Sequence, residues 1–274
     1  MKNILVSLLL FSFFFFHSSC TRFITPVITG GNNIGYLPRP MYADSVKAKN
    51  YVSAEYATSS SSDGHLTFNY GSLKFSRGHT YHKINLGYGV FGFAGQANYS
   101  DTTSGGYYNE PPPIPNFKKS FYGGGLRTTI GYQVLSKNGA INFRVINWEN
   151  AFSLEKGDFA NYRKQLYETS YSGNYLDVYV SNLHQMYSTG LSSEIIFKNY
   201  LGIDNLEGSI RLFVGYTPNL SKSYRNISSS YGERNISNEI ITFSTYLRYH
   251  HIFGDLQIGG DQNFGAKFAV GYAF

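Results

Sequence analysis

The sequence has 274 residues, a length that suits one large domain, and only 15% of them are charged, against about 25% in a typical soluble domain. Aromatic residues make up 18% of the chain, nearly all of them Tyr or Phe, and there are 29 glycines. The formal net charge is +6. Because the chain has no Lys/Arg cluster and no recognisable nucleic-acid motif, this modest charge argues against nucleic-acid binding.

The N-terminal residues have the features of a secretory signal. A short positive head over residues 1–3 precedes an apolar run over residues 4–16, which is too short to cross a bilayer as a mature helix of about 20 residues. Cys20, the single cysteine, follows two serines. This context resembles the lipobox at which bacterial lipoproteins are cleaved and acylated, except that His17 stands where an apolar residue is usual. We predict a signal peptide over residues 1–19 and lipid attachment at Cys20; an ordinary signal peptide that contains a cysteine is the alternative.

The C-terminal residues alternate between large apolar and small or polar side chains. A period of two indicates a strand with one apolar face, which here includes Phe268, Tyr272 and Phe274. Lys267, Ala269, Tyr272 and Phe274 resemble the C-terminal assembly signal of outer-membrane barrels, with Ala269 at a position where Gly is usual. The resemblance implies recognition by the barrel assembly machinery.

The same alternation recurs between turns along the chain. The sequence combines many aromatic residues with a slightly polar mean hydropathy. A membrane barrel can have both properties, because only every second residue of a strand faces lipid. Short connections near 77–79, 136–139 and 199–208 alternate with long polar loops near 101–120, 155–184 and 218–238. We therefore predict an all-β, antiparallel up-and-down transmembrane β-barrel over residues 50–274, with about ten strands (range 8–12) and the last two separated at Gly259-Gly260-Asp261.

Several segments carry local predictions. Residues 20–49 contain three prolines and no sustained period, which indicates a lipid-anchored N-terminal tether or a plug-like segment. The apolar phase slips near Gly89 or Gly92, which predicts a β-bulge. Within the loop over 155–184, residues 159–167 suit a short helix and residues 176–182 suit an extended strand.

Strand parity places a set of basic side chains in the lumen of the predicted barrel. These are Lys83, Arg127, Arg144, Arg211, Arg248 and Lys267. The smaller acidic set includes Glu194 and Asp261. Ions in a narrow barrel pair into a network that fills the interior, and an anion-attracting channel lining is the alternative. Water-filled porins need about 16 strands, so a barrel of this size favours a filled or very narrow interior.

The seven histidines show none of the spacings typical of metal sites, so we predict no metal, no cofactor and no catalytic residue. Taken together, the chain resembles the small outer-membrane β-barrel lipoproteins of the Bacteroidetes type. The resemblance implies a bacterial outer-membrane location and an N-terminus lipid-anchored on the periplasmic side. It also implies contact with outer-membrane lipid and lipopolysaccharide, and a non-enzymatic structural role or a surface role with a partner or glycan. A narrow anion or small-solute channel, a barrel enzyme and a lipid-tethered soluble β-sandwich remain as alternatives.

Overall fold

The computed structural model describes residues 22–41, 47–101, 114–137, 139–169, 177–227 and 236–274. The predicted signal peptide, residues 1–19, and Cys20 lie outside these residues. The described strands are, in chain order, β1 (Arg22–Ile24), β2 (Ala48–Ser61), β3 (Leu66–Tyr81), β4 (Ile84–Tyr99), β5 (Phe117–Leu135), β6 (Ile141–Lys156), β7 (Val178–Ser181), β8 (Gln185–Lys198), β9 (Leu206–Tyr216), β10 (Tyr224–Asn226), β11 (Glu239–Tyr249), β12 (Ile252–Gly260) and β13 (Asn263–Ala273). The same residues contain the helix α1 (Asp158–Glu168) and 3-10 turns at Gly30–Asn32, Tyr200–Gly202 and Ser221–Ser223.

Ten of the described strands form a closed antiparallel barrel. Their order is β2-β3-β4-β5-β6-β8-β9-β11-β12-β13, and β13 pairs back with β2. Each barrel strand therefore pairs with the barrel strand that follows it along the chain. Closure satisfies the backbone groups that an open sheet leaves unpaired at its edges. The prediction of an all-β up-and-down barrel of about ten strands is confirmed.

The connections divide the barrel into two ends. Residues 82–83, 136–140, 199–205 and 250–251 join strands at one end, here called the short-turn end, and the chain terminus lies there as well. Residues 100–116, 157–184 and 217–238 join strands at the other end, the long-loop end, together with the turns at 62–65 and 261–262. Within the second long connection, α1 coincides with the predicted helix and β7 with the predicted extended segment.

The predicted turn at 77–79 is wrong. Strand β3 continues to Tyr81, and the turn follows at His82-Lys83. Residues 77–79 alternate in burial like the rest of β3, so the strand continues through Gly78.

The predicted bulge near Gly89 or Gly92 is also wrong, because β4 pairs with β3 and β5 in unbroken register. Phe91 and Phe93 face the lumen and are buried, so the change of apolar phase reflects large side chains on both faces of one strand. The bulge lies instead in β6, where the register shifts and two successive residues, Val145 and Ile146, both face outward.

The outer surface of the barrel is apolar. Large hydrophobic side chains, many of them about half exposed, alternate there with buried polar ones, as Leu126 and Arg127 do on β5. The outward set includes Leu73, Phe75, Val90, Leu126, Ile130, Phe152, Leu191, Leu212, Val214, Phe243, Leu256, Phe268 and Val270. A contiguous apolar surface of this kind needs an apolar environment, since monomeric soluble proteins rarely expose one.

The N-terminal residues fill the lumen. Every residue from 22 to 41 is buried. Strand β1 pairs with β7 at the long-loop end, and β7 pairs with β10; these three strands and α1 are here called the cap. Residues 25–41, here called the plug, then run down the lumen to the short-turn end. Of the two interpretations of residues 20–49, the described part has the position of a plug, and the barrel begins at Ala48.

The path of these residues bears on the predicted periplasmic position of the N-terminus, although residues 1–21 themselves lie outside the described part of the chain. In the structure Arg22 pairs with Asp101, at the start of the first long connection, with 2.6 Å between Nη2 and Oδ2. The backbone N–H of Phe23 donates to Asp63 in the turn of the same end, at 3.1 Å. The described chain therefore begins at the long-loop end.

The upper lumen, under the cap, is a hydrophobic core. It joins plug residues such as Val27 and Ile28, cap residues such as Phe159, and wall residues such as Phe68 and Phe121. The rings of Phe68 and Phe159 meet edge to face with centroids 5.6 Å apart. Burial of each such side chain is worth about 1.5–3 kcal/mol, so this core fixes the cap and the start of the plug to the barrel wall.

Two glycines on β5 make room for lumen rings. Gly123 and Gly125 face inward, and the rings of Phe93 and Phe91 on β4 lie across them. A Cβ at Gly125 would lie 2.8 Å from Phe91 Cζ and closer still to the carbonyl oxygen of Phe152. Because the backbone of the neighbouring strand cannot move without breaking its ladder, this position admits only glycine.

We predict that Gly125→Ala destabilises the folded barrel, by about 1–3 kcal/mol as expected for overpacking. The measurement is the denaturant midpoint of the detergent-extracted protein, followed by its boiled and unboiled gel mobility. Gly71→Ala is the matched control, since the nearest atom to a Cβ there is 3.9 Å away. Equal midpoints for the two variants would contradict the packing role of Gly125.

Candidate functional site in the barrel lumen

The plug is held through its backbone carbonyl groups, which accept hydrogen bonds from wall side chains. Lys267 Nζ donates to the carbonyls of Asn32 at 2.7 Å and Ile34 at 2.9 Å. Arg127 Nε donates to the carbonyl of Asn33 at 2.8 Å. Buried carbonyl groups without partners would be costly. The basic residues of the wall therefore supply donors that an irregular segment cannot find within itself.

The lower plug meets an ion cluster centred on Glu194. Its carboxylate accepts from Arg144 Nη1 at 2.7 Å and from the plug residue Arg39 at 3.1 Å, and the plug residue Tyr36 donates its hydroxyl to the same carboxylate. Arg144 also donates to the carbonyl of Arg39 at 3.0 Å and to that of Pro40 at 3.2 Å. All of these groups are buried. This cluster therefore joins two barrel strands and the plug.

Three further ion pairs lie in the lumen among the described residues. Arg211 Nε donates to Glu149 at 2.9 Å. The remaining pairs are Lys74 with Glu55 and Arg248 with Glu207. A paired and hydrogen-bonded arrangement is the way in which buried charges persist in a low-dielectric interior.

The cap is tied to the upper plug by a second type of cluster. Glu155, at the end of β6, accepts from the backbone N–H of Val27 at 2.9 Å and from Arg163 of α1 at 2.9 Å. Arg163 also donates to the carbonyls of Ser181 at 2.7 Å and Leu183 at 2.9 Å. One carboxylate thus connects the barrel, the plug and the helix of the cap.

Asp261 lies in the turn between β12 and β13, beside the plug. Gly30 of the plug has φ +47°, and a Cβ there would lie 2.6 Å from the carboxylate oxygens of Asp261. Asp261 accepts from the backbone N–H of Asn263 at 3.1 Å. Burial raises the pKa of Asp261 to about 7. This carboxyl therefore titrates near neutral pH, at the long-loop end.

Five of the six residues predicted as the basic lumen set lie in the lumen. They are Arg127, Arg144, Arg211, Arg248 and Lys267, and each is buried. Lys83 does not join them. It lies exposed in the turn between β3 and β4, because β3 and its turn extend further than the sequence pattern indicates.

The residues of the predicted assembly signal lie on β13, with Phe274 directly after it. Lys267 and Ala269 face inward and are buried, whereas Tyr272 and Phe274 face outward. The backbone of Phe274 exchanges hydrogen bonds with Asn50 at 2.9 and 3.0 Å, so the final residue takes part in the seam between β13 and β2.

Sequence reasoning missed the acidic partners Glu55 and Glu149 and both plug residues that contact Glu194. Glu55 could have been found from parity, since it alternates with the outward residues Val52, Ala54 and Tyr56 on β2. Glu149 could not, because the bulge at Val145 changes the parity of β6. For Tyr36 and Arg39 the sequence offers no signal, since an irregular segment has no period.

The histidines of the described residues lie in turns and connections or beside aromatic rings. His79 is stacked between Tyr81 and Tyr88, with centroids 5.8 and 5.7 Å away. His250 and His251 form the turn between β11 and β12. No group of three or more His, Cys, Asp or Glu side chains that could hold a metal ion occurs in the part of the chain that the structure describes. No helix among the described residues is long and apolar enough to span a bilayer.

The described residues line a small cavity in the lumen and a larger one at its short-turn end. One, lined by residues that include Tyr36, Lys74 and Arg127, has about 10 Å³, no more than a single water site of about 10–15 Å³. The other has about 230 Å³ and opens at the short-turn end, where Lys49, Lys198, Arg248, His250 and His251 are among its lining residues. The second cavity is thus a basic vestibule at the short-turn end.

No protein-family model and no curated protein matches this sequence. Several solved structures are similar to it at low identity. The β domain of the Bordetella autotransporter BrkA has a TM-score of 0.43 and 9% identity, with 84% of this chain and 99% of that chain covered. The translocator domain of the autotransporter NalP from Neisseria meningitidis has a TM-score of 0.41 and 9% identity, with 83% and 88% covered. The toluene transporter TbuX of Ralstonia pickettii has a TM-score of 0.35 and 9% identity, with 91% and 97% covered. The barrel assignment itself rests on the strand pairing of this chain.

We predict that Glu194→Gln lowers the free energy of unfolding by about 3 kcal/mol, as expected when one partner of a buried ion pair is removed. The substitution leaves two buried guanidinium groups, those of Arg39 and Arg144, without their carboxylate. Urea unfolding of the refolded protein in detergent measures the change. Glu239→Gln, at an exposed carboxylate on β11, is the control and should unfold like the unaltered protein.

We predict that Asp261 makes the folded barrel less stable as pH rises. Its pKa is about 7 in the folded protein and about 3.9 when unfolded. Between these values the folded state holds a proton that the unfolded state has lost, so the free energy of unfolding falls with pH across this window and is level above it. Asp261→Asn should remove this slope from a series of unfolding curves, whereas Asp204→Asn, in an exposed turn, should keep it. An unchanged slope in Asp261→Asn would contradict the assignment.

Proposed function

We propose that this chain is a non-enzymatic barrel of the bacterial outer membrane, with a structural or surface-interaction role, whose lumen is closed by its own N-terminal segment. The observation that carries the proposal is the combination of an apolar outer wall with an interior occupied by the plug. Such a barrel is stable in lipid and presents its cap and long loops to one side of the membrane. The lumen side chains serve to hold the plug in place.

The height of the apolar wall supports a location in the membrane. On β5 the outward residues Tyr122 and Tyr132 flank Leu126 and Ile130 and are ten residues apart. At about 3.4 Å per residue and a tilt of about 40°, this separation corresponds to roughly 25 Å along the membrane normal. Outer-membrane barrels have an apolar band of about 25 Å between two aromatic girdles. The spacing therefore matches one hydrocarbon layer.

The long connections support the orientation. In barrels of this class the short turns face the periplasm and the longer loops face the exterior. The cap, built from β1, β7, β10 and α1, would then lie on the cell surface with the three long connections. A surface partner or glycan would meet these elements first, together with lipopolysaccharide around the rim.

Acylation of Cys20, in the manner of the Bacteroidetes-type barrel lipoproteins, is the finer part of the proposal. The support for it is the sequence context of the cysteine and the length of the apolar run before it. The C-terminal set Lys267, Ala269, Tyr272 and Phe274 supports insertion by the barrel assembly machinery, since its two aromatic side chains face outward from the closing strand.

A narrow anion channel is the second candidate, favoured by the basic vestibule at the short-turn end. Lys49, Lys198 and Arg248 line this opening with Glu207 as the acidic neighbour. An anion drawn into the vestibule would meet the lower plug, where Arg39 is already bonded to Glu194. Conduction would therefore need the plug to move.

We predict that the purified protein produces no stepwise conductance in planar lipid bilayers, because the plug and its ion pairs occupy the lumen. Defined conductance steps in the unaltered protein, with anion selectivity that falls in Lys198→Gln, would favour the channel over the closed barrel. A porin in the same bilayers serves as the positive control for the recording.

We predict that Leu126→Arg impairs folding into lipid vesicles by about 2–4 kcal/mol, the cost of a cation at mid-depth, whereas Tyr81→Arg costs only about 0–1 kcal/mol. Both residues face outward, but Tyr81 lies next to the turn of the short-turn end. Folding is measured as the fraction that changes gel mobility on boiling. Equal effects of the two substitutions, or no mobility change in the unaltered protein, would contradict a transmembrane barrel and favour a lipid-tethered soluble domain.

A further inference from the structure

The path of residues 22–41 fixes the end of the barrel at which the described chain begins. At its upper end the segment is bound three times, by the Arg22–Asp101 ion pair, by the hydrogen bond from Phe23 to Asp63, and by the pairing of β1 with β7. Asp101 and Asp63 belong to different connections of the long-loop end. The start of the described chain is thus fixed to the long-loop end by an ion pair, a hydrogen bond and strand pairing.

The contacts of the plug then descend in order through the lumen. Asn32 donates to Ser59, near the upper end of β2, at 2.9 Å. Further down, Tyr36 meets Glu194. At the short-turn end, Arg39 donates to Asn85, the second residue of β4, at 2.7 Å.

The exit at the short-turn end is equally well defined. Thr80 donates to the carbonyl of Pro40 at 2.6 Å, and the backbone N–H of Thr80 donates to the carbonyl of Lys47 at 2.8 Å. The chain therefore leaves the lumen beside the end of β3 and enters β2 at the same end of the barrel. The plug crosses the whole lumen once, from the long-loop end to the short-turn end.

From this single crossing we infer that the described chain begins on the outer surface of the membrane, so that the residues before Arg22 are displayed there. The inference rests on the proposed function, which sets the long loops outside. It reverses the expectation of a periplasmic N-terminus. Cys20 is two residues before Arg22, a reach of about 7 Å at most, so an acyl group on this cysteine would join the outer leaflet.

The test is accessibility on intact cells that produce the full chain. A short epitope is inserted between Thr21 and Arg22, and the same epitope is inserted in two reference variants, after Gly64 at the long-loop end and after Gly202 at the short-turn end. Both glycines lie in turns, and a Cβ at either would have no atom within 4 Å. Antibody binding is compared before and after the outer membrane is permeabilised, and boiled and unboiled gels confirm that each variant is folded.

We expect the epitope before Arg22 to bind antibody on intact cells as the Gly64 variant does, while the Gly202 variant binds only after permeabilisation. Binding only after permeabilisation, with the two references behaving as stated, would overturn the inference and leave the proposed function intact. If the references do not differ, or exchange their behaviour, the proposed orientation fails and the inference fails with it.

A second variant keeps the test valid if the epitope prevents folding. A single Cys inserted between Thr21 and Arg22, in a Cys20→Ala background, offers one thiol to a maleimide that cannot cross membranes. Ser62→Cys at the long-loop end and Lys83→Cys at the short-turn end, both at exposed turn residues, are its references in the same background. Labelling of the inserted Cys on intact cells, to the level of Ser62→Cys, supports external display. Labelling only in broken cells, as expected for Lys83→Cys, rejects it.

Discussion

The structure depends on satisfying the buried carbonyl groups of an irregular chain segment inside a closed sheet. The barrel wall uses its own backbone groups in the ladders between strands, so it has none to offer the plug. Side-chain donors from the wall supply what is missing, with Lys267, Arg127 and Gln257 donating to successive carbonyls between Gly31 and Ile34. In an empty lumen these basic residues would line a channel. In this barrel they act instead as hydrogen-bond donors to the plug.

Two kinds of contact hold the plug in the lumen. Under the cap, large apolar side chains such as Phe68 and Phe121 pack against the upper plug, and the hydrophobic effect holds the segment without demanding a particular partner for each group. Towards the short-turn end the contacts are ionic and directional, centred on Glu194. Loss of one ion from the lower clusters leaves its partner uncompensated, whereas truncation of a large side chain in the upper core leaves a cavity.

The sequence predicts the barrel and most of its basic lumen residues, because period two is a local property that survives wherever a strand is regular. It fails where the regularity ends. Lys83 is misplaced by a strand that continues through a glycine, and Glu149 is missed because the bulge at Val145 changes which residues face inward. The plug contacts of Arg39 are set by tertiary structure alone, since its partners lie on several strands distant in sequence.

The position of the plug has a consequence for the order of folding. The segment precedes every barrel strand along the chain, yet it lies inside the ring that the first and last of these strands complete when β13 meets β2. If the barrel closed before the plug entered, the buried carboxylate of Glu194 would have only Arg144 beside it. The plug would then have to enter through an opening already lined by packed side chains. The pairing of β13 with β2 is therefore expected to follow the docking of the plug. The barrel strands would then assemble around the N-terminal segment.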